Sequence, residues 1–111
     1  MDDMKNGIID SIDWNRLKTN AGIIKALAHP SRLFIVEELS RGERCVCELT
    51  DMIGADVSTV SRHLLVLKNA GIVQDDKRAN QVFYNLRTPC ILNFLGCIEA
   101  VNVKDAESSD A

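Results

Sequence analysis

The 111-residue sequence has few residues that interrupt regular structure, with six glycines and two prolines. This scarcity excludes a collagen-like chain and a Pro/Gly-rich disordered chain. Aromatic residues make up only 5% of the chain, although 46% of it is hydrophobic. No apolar run approaches the roughly 20 residues that cross a bilayer, so we expect no transmembrane segment. The length suits one domain.

The sequence also lacks the residue patterns of an enzyme. We find no nucleophile paired with a base, no pair of carboxylates at a catalytic spacing and no Gly-rich phosphate loop. The two histidines, His29 and His63, are not at a metal-ligand spacing. We assign His29 to structure, and His63 to structure or to a phosphate contact. We therefore expect a binding protein without enzymatic activity and without a permanent cofactor.

Charge is unevenly distributed along the chain. Residues 1–10 contain three Asp and one Lys, residues 105–111 contain three acidic residues, and the net charge is -3. The middle of the chain is therefore mildly basic, which permits nucleic-acid binding without requiring it. We predict a flexible acidic N-terminus at 1–10, one domain at 11–104 and a disordered acidic tail at 105–111.

The first ten residues do not form a secretion signal, because they have no apolar core and no small-residue cleavage site. We expect a cytoplasmic protein with no membrane partner. Since thiols are kept reduced in the cytoplasm, ligands, sensors or packing residues are better interpretations of the four cysteines than structural disulfides.

Apolar spacing predicts about five helices and one hairpin. Helices are expected over residues 13–27, from Pro30 to a stop at Arg41-Gly42, over residues 46–53, and from Val57 to a stop at 69–71. A last helix begins at Thr88-Pro89. Residues 72–76 and 81–86 are rich in β-forming residues and flank a polar turn at 77–80, which predicts an antiparallel hairpin. This order predicts a mainly α fold, a winged helix-turn-helix with a two-stranded antiparallel wing.

The fourth helix is the strongest candidate for binding DNA. At about 100° per residue, its apolar residues fall on one side and its polar residues on the other. The predicted inward residues are Val57, Val60, Leu64 and Leu67. The candidate DNA-binding residues of this helix are Ser58, Thr59, Ser61, Arg62 and His63. An ordinary amphipathic helix with a capping serine is the alternative.

The hairpin tip supplies further candidates for DNA contact. Lys77, Arg78 and Gln81 lie beside the fourth helix in the predicted fold, where a wing reaches a phosphate or the minor groove. A solvated turn is the alternative for these residues.

Cys45 and Cys47 can share one soft ion such as zinc, cadmium or trivalent arsenic. In a regular helix the two side chains would diverge by about 200°. Sharing an ion therefore requires Cys45 to precede the helix or the first turn to open. A helix N-terminus also favours the thiolate form. The alternative is that both cysteines are packing residues.

Cys90 and Cys97 lie seven residues apart and share one face of the predicted last helix. Their Cα atoms would be about 10.5 Å apart along the helix axis, too far for metal–sulfur bonds of about 2.3 Å to one ion. Each cysteine therefore needs a ligand partner elsewhere, or it belongs to the core.

Four segments together resemble the ArsR/SmtB family of metal-sensing repressors. They are ALAHPSRL at 26–33, CVCEL at 45–49, STVSRHL at 58–64 and NAGIV at 69–73. The likeness covers about residues 20–101. It implies a homodimer through the first and last helices, bound to double-stranded operator DNA with inverted-repeat half-sites. It also implies that an inducer releases the DNA and that Cys45 and Cys47 are ligands for a soft metal.

The sequence departs from several members of this family. Thr50 stands where many arsenic sensors have a third cysteine, and residues 1–44 contain no cysteine. Thr88 and Cys90 stand where other members have zinc ligands in the last helix. We therefore predict that Cys90 or Cys97 completes a three-thiolate site, across the dimer if necessary.

The leading functional prediction is a repressor that releases its operator when As(III), or a soft divalent ion (Cd, Pb or Zn), binds the cysteines. A repressor that senses oxidants or reactive sulfur through a disulfide or polysulfide is the alternative. A third hypothesis is a protein-interaction winged helix whose cysteines only pack; it would lack the steep salt dependence of DNA binding.

Overall fold

The computed structural model describes the backbone of residues 11–110 and the side chains of residues 11–101. The predicted five helices are confirmed. In chain order the elements are α1 (Trp14–Leu27), α2 (Pro30–Ser40), β1 (Arg44–Cys45), α3 (Val46–Ile53), α4 (Val57–Asn69), β2 (Val73–Arg78), β3 (Gln81–Leu86) and α5 (Ile91–Asp110).

Local sequence signals begin and end the helices that surround the core. The Asp13 carboxylate accepts a hydrogen bond from the Arg16 backbone N–H at 3.0 Å and begins α1. Pro30 is the first residue of α2, where its missing N–H has no cost. Gly54, at φ 78°, ends α3 in the left-handed conformation that glycine adopts readily. The turn that follows leads directly into α4.

The core lies where α2, α3 and α4 meet the start of the wing. Its members are apolar side chains that are almost completely removed from solvent. They include Ile35, Val36, Leu39, Leu49, Val60, Leu64, Leu67, Ile72 and Val73, each at most 3% exposed. Burial of this size is the main stabilising contribution to a small domain, and it fixes α4 against α2 and α3.

The wing contains three strands, so the prediction of two was wrong. β3 pairs with β2 on one side and with β1 on the other, both antiparallel, in the order β1-β3-β2. Within β1, Arg44 pairs with Tyr84 and Cys45 with Phe83. A strand of two residues is too short to show the alternating pattern that reveals strands in a sequence.

The hairpin turn is also shorter than predicted. β2 continues through Lys77 to Arg78, which pairs with Gln81. The reversal is made by Ala79 and Asn80, with Ala79 at φ 53°. A two-residue turn with positive φ at its first position matches the twist of paired strands; here an alanine holds that position rather than the usual glycine.

The last helix begins later than predicted. The N–H groups of residues 91, 92 and 93 donate to the carbonyls of Thr88, Pro89 and Cys90 respectively. These bonds span three residues, so the segment turns tightly before α5 starts at Ile91. In the described part of the chain, no helix is long and apolar enough to cross a membrane.

The division of the chain into termini and one domain stays a prediction. The predicted flexible N-terminus at 1–10 lies outside the described residues. The helix α5 runs on to Asp110, through most of the segment predicted as a disordered tail.

Candidate DNA interface and thiol site

The start of α4 is fixed by Asp56. Its carboxylate accepts a hydrogen bond from the Thr59 backbone N–H at 2.9 Å. Hydrogen bonds from the Thr59 hydroxyl and N–H to the Asp56 carboxylate lower the pKa of Asp56 below its usual value. Asp56 is therefore the helix cap; the Ser58 hydroxyl also hydrogen-bonds to its carboxylate, whereas Ser61 remains available for other contacts.

The polar side of α4 faces solvent. Ser58, Ser61 and Arg62 are exposed, whereas Thr59 is half-buried and bonded to the cap. No ion pair involves Arg62 among residues 11–101. An α-helix fits the major groove of B-DNA, and a free guanidinium can donate two hydrogen bonds to guanine or bind phosphate.

His63 lies on the inner side of α4, unlike the other candidates. Its side chain is 8% exposed, and its Nδ1 accepts a hydrogen bond from Arg32 Nε at 3.1 Å. Its ring centroid is 4.4 Å from that of His29. Of the two interpretations that the sequence left open for His63, this geometry favours structure over a phosphate contact.

Two apolar residues of α4 differ from the sequence pattern. Val57, expected to face inward, is 57% exposed because it is the first residue after the turn. Leu65 is 53% exposed and lies on the same side as Ser58 and Ser61. Leu65 was not among the residues predicted to contact DNA; its position four residues after Ser61 was the available signal. An exposed leucine there can contact a thymine methyl group.

The guanidinium of Arg78 in the wing is less available than that of Arg62. Arg78 pairs with Glu43 and, at 3.2 Å, with Asp76, and its guanidinium lies 4.1 Å from the centre of the Phe83 ring. Lys77 and Gln81 are exposed on the same hairpin. A phosphate contact by Arg78 would therefore require its guanidinium to give up a carboxylate partner.

An ion pair also joins the wing to α4. Lys68 Nζ lies 3.0 Å from Asp75 Oδ2. The hydrogen bond between them raises the pKa of Lys68 and lowers that of Asp75. This exposed pair links the first half of the hairpin to the last turn of α4.

The thiol site lies where β1 becomes α3. Cys45 is the N-cap residue and Val46 the first residue of the helix, so the condition for two converging sulfurs is met. The structure joins Cys45 and Cys47 in a disulfide with a Cα–Cα distance of 5.4 Å. Cys45 is buried at 4% exposure, while Cys47 is exposed. A reagent therefore meets Cys47 first.

Glu48 holds the first of these cysteines in a capping box. Its carboxylate accepts the Cys45 N–H at 3.0 Å, and its own N–H donates to Cys45 Sγ at 3.4 Å. Arg44 bridges this carboxylate and Glu38 of α2, at 3.3 Å and 3.1 Å. The Cys-x-x-Glu spacing, analogous to Ser-x-x-Glu, was the signal that sequence analysis missed.

The other two cysteines do not join this pair within one protomer. Cys90 and Cys97 are free and exposed, and Cys90 precedes α5 by one residue. Among residues 11–101 no group of three Cys, His, Asp or Glu side chains is placed to hold one metal ion. The predicted three-thiolate site therefore needs a donor from outside the described part of one chain.

The terminal helices leave an apolar surface uncovered. On α1 and α5, the exposed large apolar residues are Trp14, Leu17, Ile24, Phe94, Ile98 and Val101. A groove of about 350 Å³ runs between the two helices and is lined by Ile24, Leu33, Phe94, Leu95 and Ile98 among others. Contiguous exposed apolar surface of this kind marks an association surface.

The helix-turn-helix, the exposed polar side of α4 and the adjoining hairpin define a winged helix-turn-helix protein. The model of the bacterial regulatory proteins of the arsR family matches residues 29–75. The transcriptional repressor BigR of Xylella fastidiosa, in its crystal structure, is 37% identical, with a TM-score of 0.64 over 76% of this chain and 89% of that one. The chain belongs to the ArsR family.

Two further relatives bear on assembly and on the inducer. A DNA-binding domain of Mycobacterium bovis Mb0332, described as homodimeric, is 26% identical, with a TM-score of 0.74 over 85% of this chain and 87% of that one. The cadmium resistance regulatory protein CadC of Listeria innocua is 38% identical over 76 residues, 68% of this chain and 64% of its own length. The chain spans about half to two thirds of the length of several curated relatives, for example 47% of the repressor SmtB of Mycobacterium tuberculosis and 64% of CadC.

Proposed function

We propose that this protein is a homodimeric transcriptional repressor. Its affinity for an inverted-repeat operator is controlled by a thiophilic species that binds or reacts at Cys45 and Cys47. The observation that carries the proposal is the convergence of the two sulfurs at the N-terminus of α3. This helix packs directly against α4, the helix with the exposed polar side. Chemistry at the sulfurs therefore acts next to the DNA-contacting element.

DNA binding is assigned first to α4. Ser58, Ser61 and Arg62 are exposed on one side, and buried Val60 and Leu64 fix the opposite side to the core. Lys77 and Arg78 of the wing contact the neighbouring backbone, and Gln81 and Thr59 have secondary roles. Phosphate contacts by these cations make binding salt-dependent.

Dimerisation through α1 and α5 places two copies of α4 on one face of the assembly. The uncovered apolar residues of these helices, above all Phe94 and Ile98, provide the surface, and Mb0332 is a homodimer. Half-sites read by paired helices lie about 34 Å apart, so a small rotation between protomers prevents both helices from docking. The inducer acts by changing the relative orientation of the two protomers.

A soft ion is the leading inducer. Two thiolates at Cys45 and Cys47 fit a thiophilic ion, and Cys90 or Cys97 of a second protomer supplies a third sulfur. As(III) is the favoured ion because three soft thiolates suit it. The relative CadC is named for cadmium resistance, which keeps Cd with Pb and Zn as the other candidates.

The second candidate inducer is an oxidant, favoured by the Cys45–Cys47 disulfide. A hydroperoxide would oxidise the two thiols to the disulfide and be reduced to an alcohol and water, which take up one thiol proton each. A thiol reductant would reverse the step. Buried Cys45 then acts as the resolving thiol, and exposed Cys47 as the first to react.

The test is operator binding by the reduced protein. A duplex bound by the protein is selected from a random DNA library, and its Kd is measured with and without arsenite, cadmium, lead, zinc or a hydroperoxide. Cys45→Ser and Cys47→Ser should bind DNA and no longer release it. Release that persists in both variants, or binding without salt dependence, would contradict the proposal.

The variants Cys90→Ser and Cys97→Ser separate the candidate inducers. A three-thiolate ion site loses affinity and changes its ion-to-protein ratio in at least one of them, whereas a Cys45–Cys47 disulfide forms in both. An identical ion titration in the wild type, Cys90→Ser and Cys97→Ser would contradict the role of Cys90 and Cys97.

A further inference from the structure

Cys45 belongs to two elements at once. It caps α3, since the Glu48 N–H donates to its Sγ, and it is one of the two residues of β1, where it pairs with Phe83 of the wing. Because β1 contains only two residues, it has no further residues that could accommodate a displacement of Cys45. A shift of the Cys45 backbone is therefore passed to the edge of β3.

Arg78 of the wing is in contact with both sides of this junction. Its guanidinium lies 4.1 Å from the centre of the Phe83 ring, and Phe83 is the strand partner of Cys45. It also pairs with Glu43, two residues before Cys45. Two separate contacts thus hold a cation of the wing against the segment that contains the first thiol.

We propose that Glu43 and Phe83 are positioning residues that transmit the state of the Cys45–Cys47 pair to Arg78, so that induction acts on the wing as well as on the dimer. This inference rests on the proposed function, because it names the route by which the same thiol site weakens DNA binding. An ion held between the sulfurs, or a change between dithiol and disulfide, alters the separation of the sulfurs and the first turn of α3. The Glu43 carboxylate and the Phe83 ring move with β1 and take Arg78 away from its phosphate.

Asp76 provides a matched control within the molecule. It pairs with the same guanidinium as Glu43, at 3.2 Å, but it lies on β2, the strand of Arg78 itself. Glu43→Gln and Asp76→Asn each remove one carboxylate from Arg78 and leave the guanidinium freer to bind phosphate. Only Glu43→Gln removes a contact that reaches the thiol segment.

The experiment measures the ratio of operator Kd values with and without the inducer that releases the wild-type dimer. In Glu43→Gln we expect this ratio to fall about threefold, the scale of one exposed ion pair. Phe83→Leu should lower it by a similar factor, because an exposed cation–π contact is of comparable size. Asp76→Asn should keep the wild-type ratio.

The outcomes separate this inference from the proposed function. Equal ratios in Glu43→Gln and Asp76→Asn, in a chain that still responds to the inducer, would overturn the transmission through Glu43 and leave the repressor intact. A wild-type chain without any response would overturn the proposed function itself. The surface variant Glu43→Gln decides the matter even where Phe83→Leu fails to fold.

Discussion

The helix α4 and the wing are both assigned to DNA, but they are held in different ways. Val60, Leu64 and Leu67 of α4 have no measurable exposure, and they fix the helix through apolar packing. The tip of the wing is held by exposed contacts of Arg78 with acidic side chains and an aromatic ring. Apolar packing gives a rigid element, whereas exposed ion pairs are weak and exchangeable.

This difference assigns separate tasks to the two regions. A rigid helix with a free Arg62 is suited to specific base contact, which depends on fixed geometry. A wing whose Arg78 already has carboxylate partners is suited to regulation, because small changes redistribute its contacts. The two arginines look equivalent in the sequence, and only their surroundings distinguish them.

The largest effect should come from the packing under α4. Leu64→Ala removes a fully buried side chain and should lower the free energy of unfolding by about 2–5 kcal/mol. Glu43→Gln at the wing should lower it by less than about 1 kcal/mol. Urea denaturation at a fixed protein concentration measures both, since dimerisation makes stability concentration-dependent.

Leu65→Ala is the control for Leu64→Ala, because it removes the same side chain from the exposed side of the helix. It should leave stability within about 0.5 kcal/mol of the wild type. Equal losses of unfolding free energy in the two leucine variants would show that packing of the inner side does not hold α4 in place. The proposed difference between α4 and the wing would then be wrong.

The next effect distinguishes the two arginines on DNA. Arg62→Ala should weaken operator binding by about 1–3 kcal/mol, because nothing in the described protein competes for its guanidinium. Arg78→Ala should weaken operator binding by less. In the wild type, Arg78 must give up its contacts with Glu43 and Asp76 to bind phosphate, and this partly offsets the gain from the phosphate contact. Fluorescence anisotropy with a labelled operator, at several salt concentrations, measures both.

Lys77→Ala controls for charge alone, because Lys77 has no ion pair among residues 11–101. It should lower the salt slope about as much as Arg62→Ala. A larger loss of affinity in Arg78→Ala than in Arg62→Ala would reverse the assignment of base contact to α4 and of regulation to the wing.

The sequence predicted what local patterns encode. Periodic apolar residues, Pro30 and Gly54 gave the helices close to their observed bounds, and the Cys-x-Cys spacing identified the thiol pair and the need for Cys45 to precede the helix. The two-residue strand β1 was missed because its partner, β3, lies some 40 residues away in the chain. The pairing of Arg78 with Glu43 was missed for the same reason, since these two residues are 35 positions apart in the chain.

The smallest effect concerns His63 on the inner side of α4. Burial disfavours its charged form and lowers the pKa of His63 below the usual 6.5, and the neighbouring His29, Arg32 and Arg62 act in the same direction. The unfolded chain therefore binds a proton near pH 6.5 that the folded chain does not. The free energy of unfolding should fall as the pH drops below about 6.5, by at most about 1.4 kcal/mol per pH unit from this group.

His63→Gln tests this expectation, because glutamine does not titrate and its carbonyl can still accept the hydrogen bond from Arg32. The stability of the variant to heat or urea should change less between pH 7.5 and pH 5.5 than that of the wild type. This holds whatever the difference in stability between the two proteins at pH 7.5. An equally steep loss in the variant would show that His63 is not the group responsible. Arg78→Ala should keep the wild-type slope, because within the described residues the contacts of Arg78 are with Glu43, Asp76 and Phe83 and not with the His63 cluster.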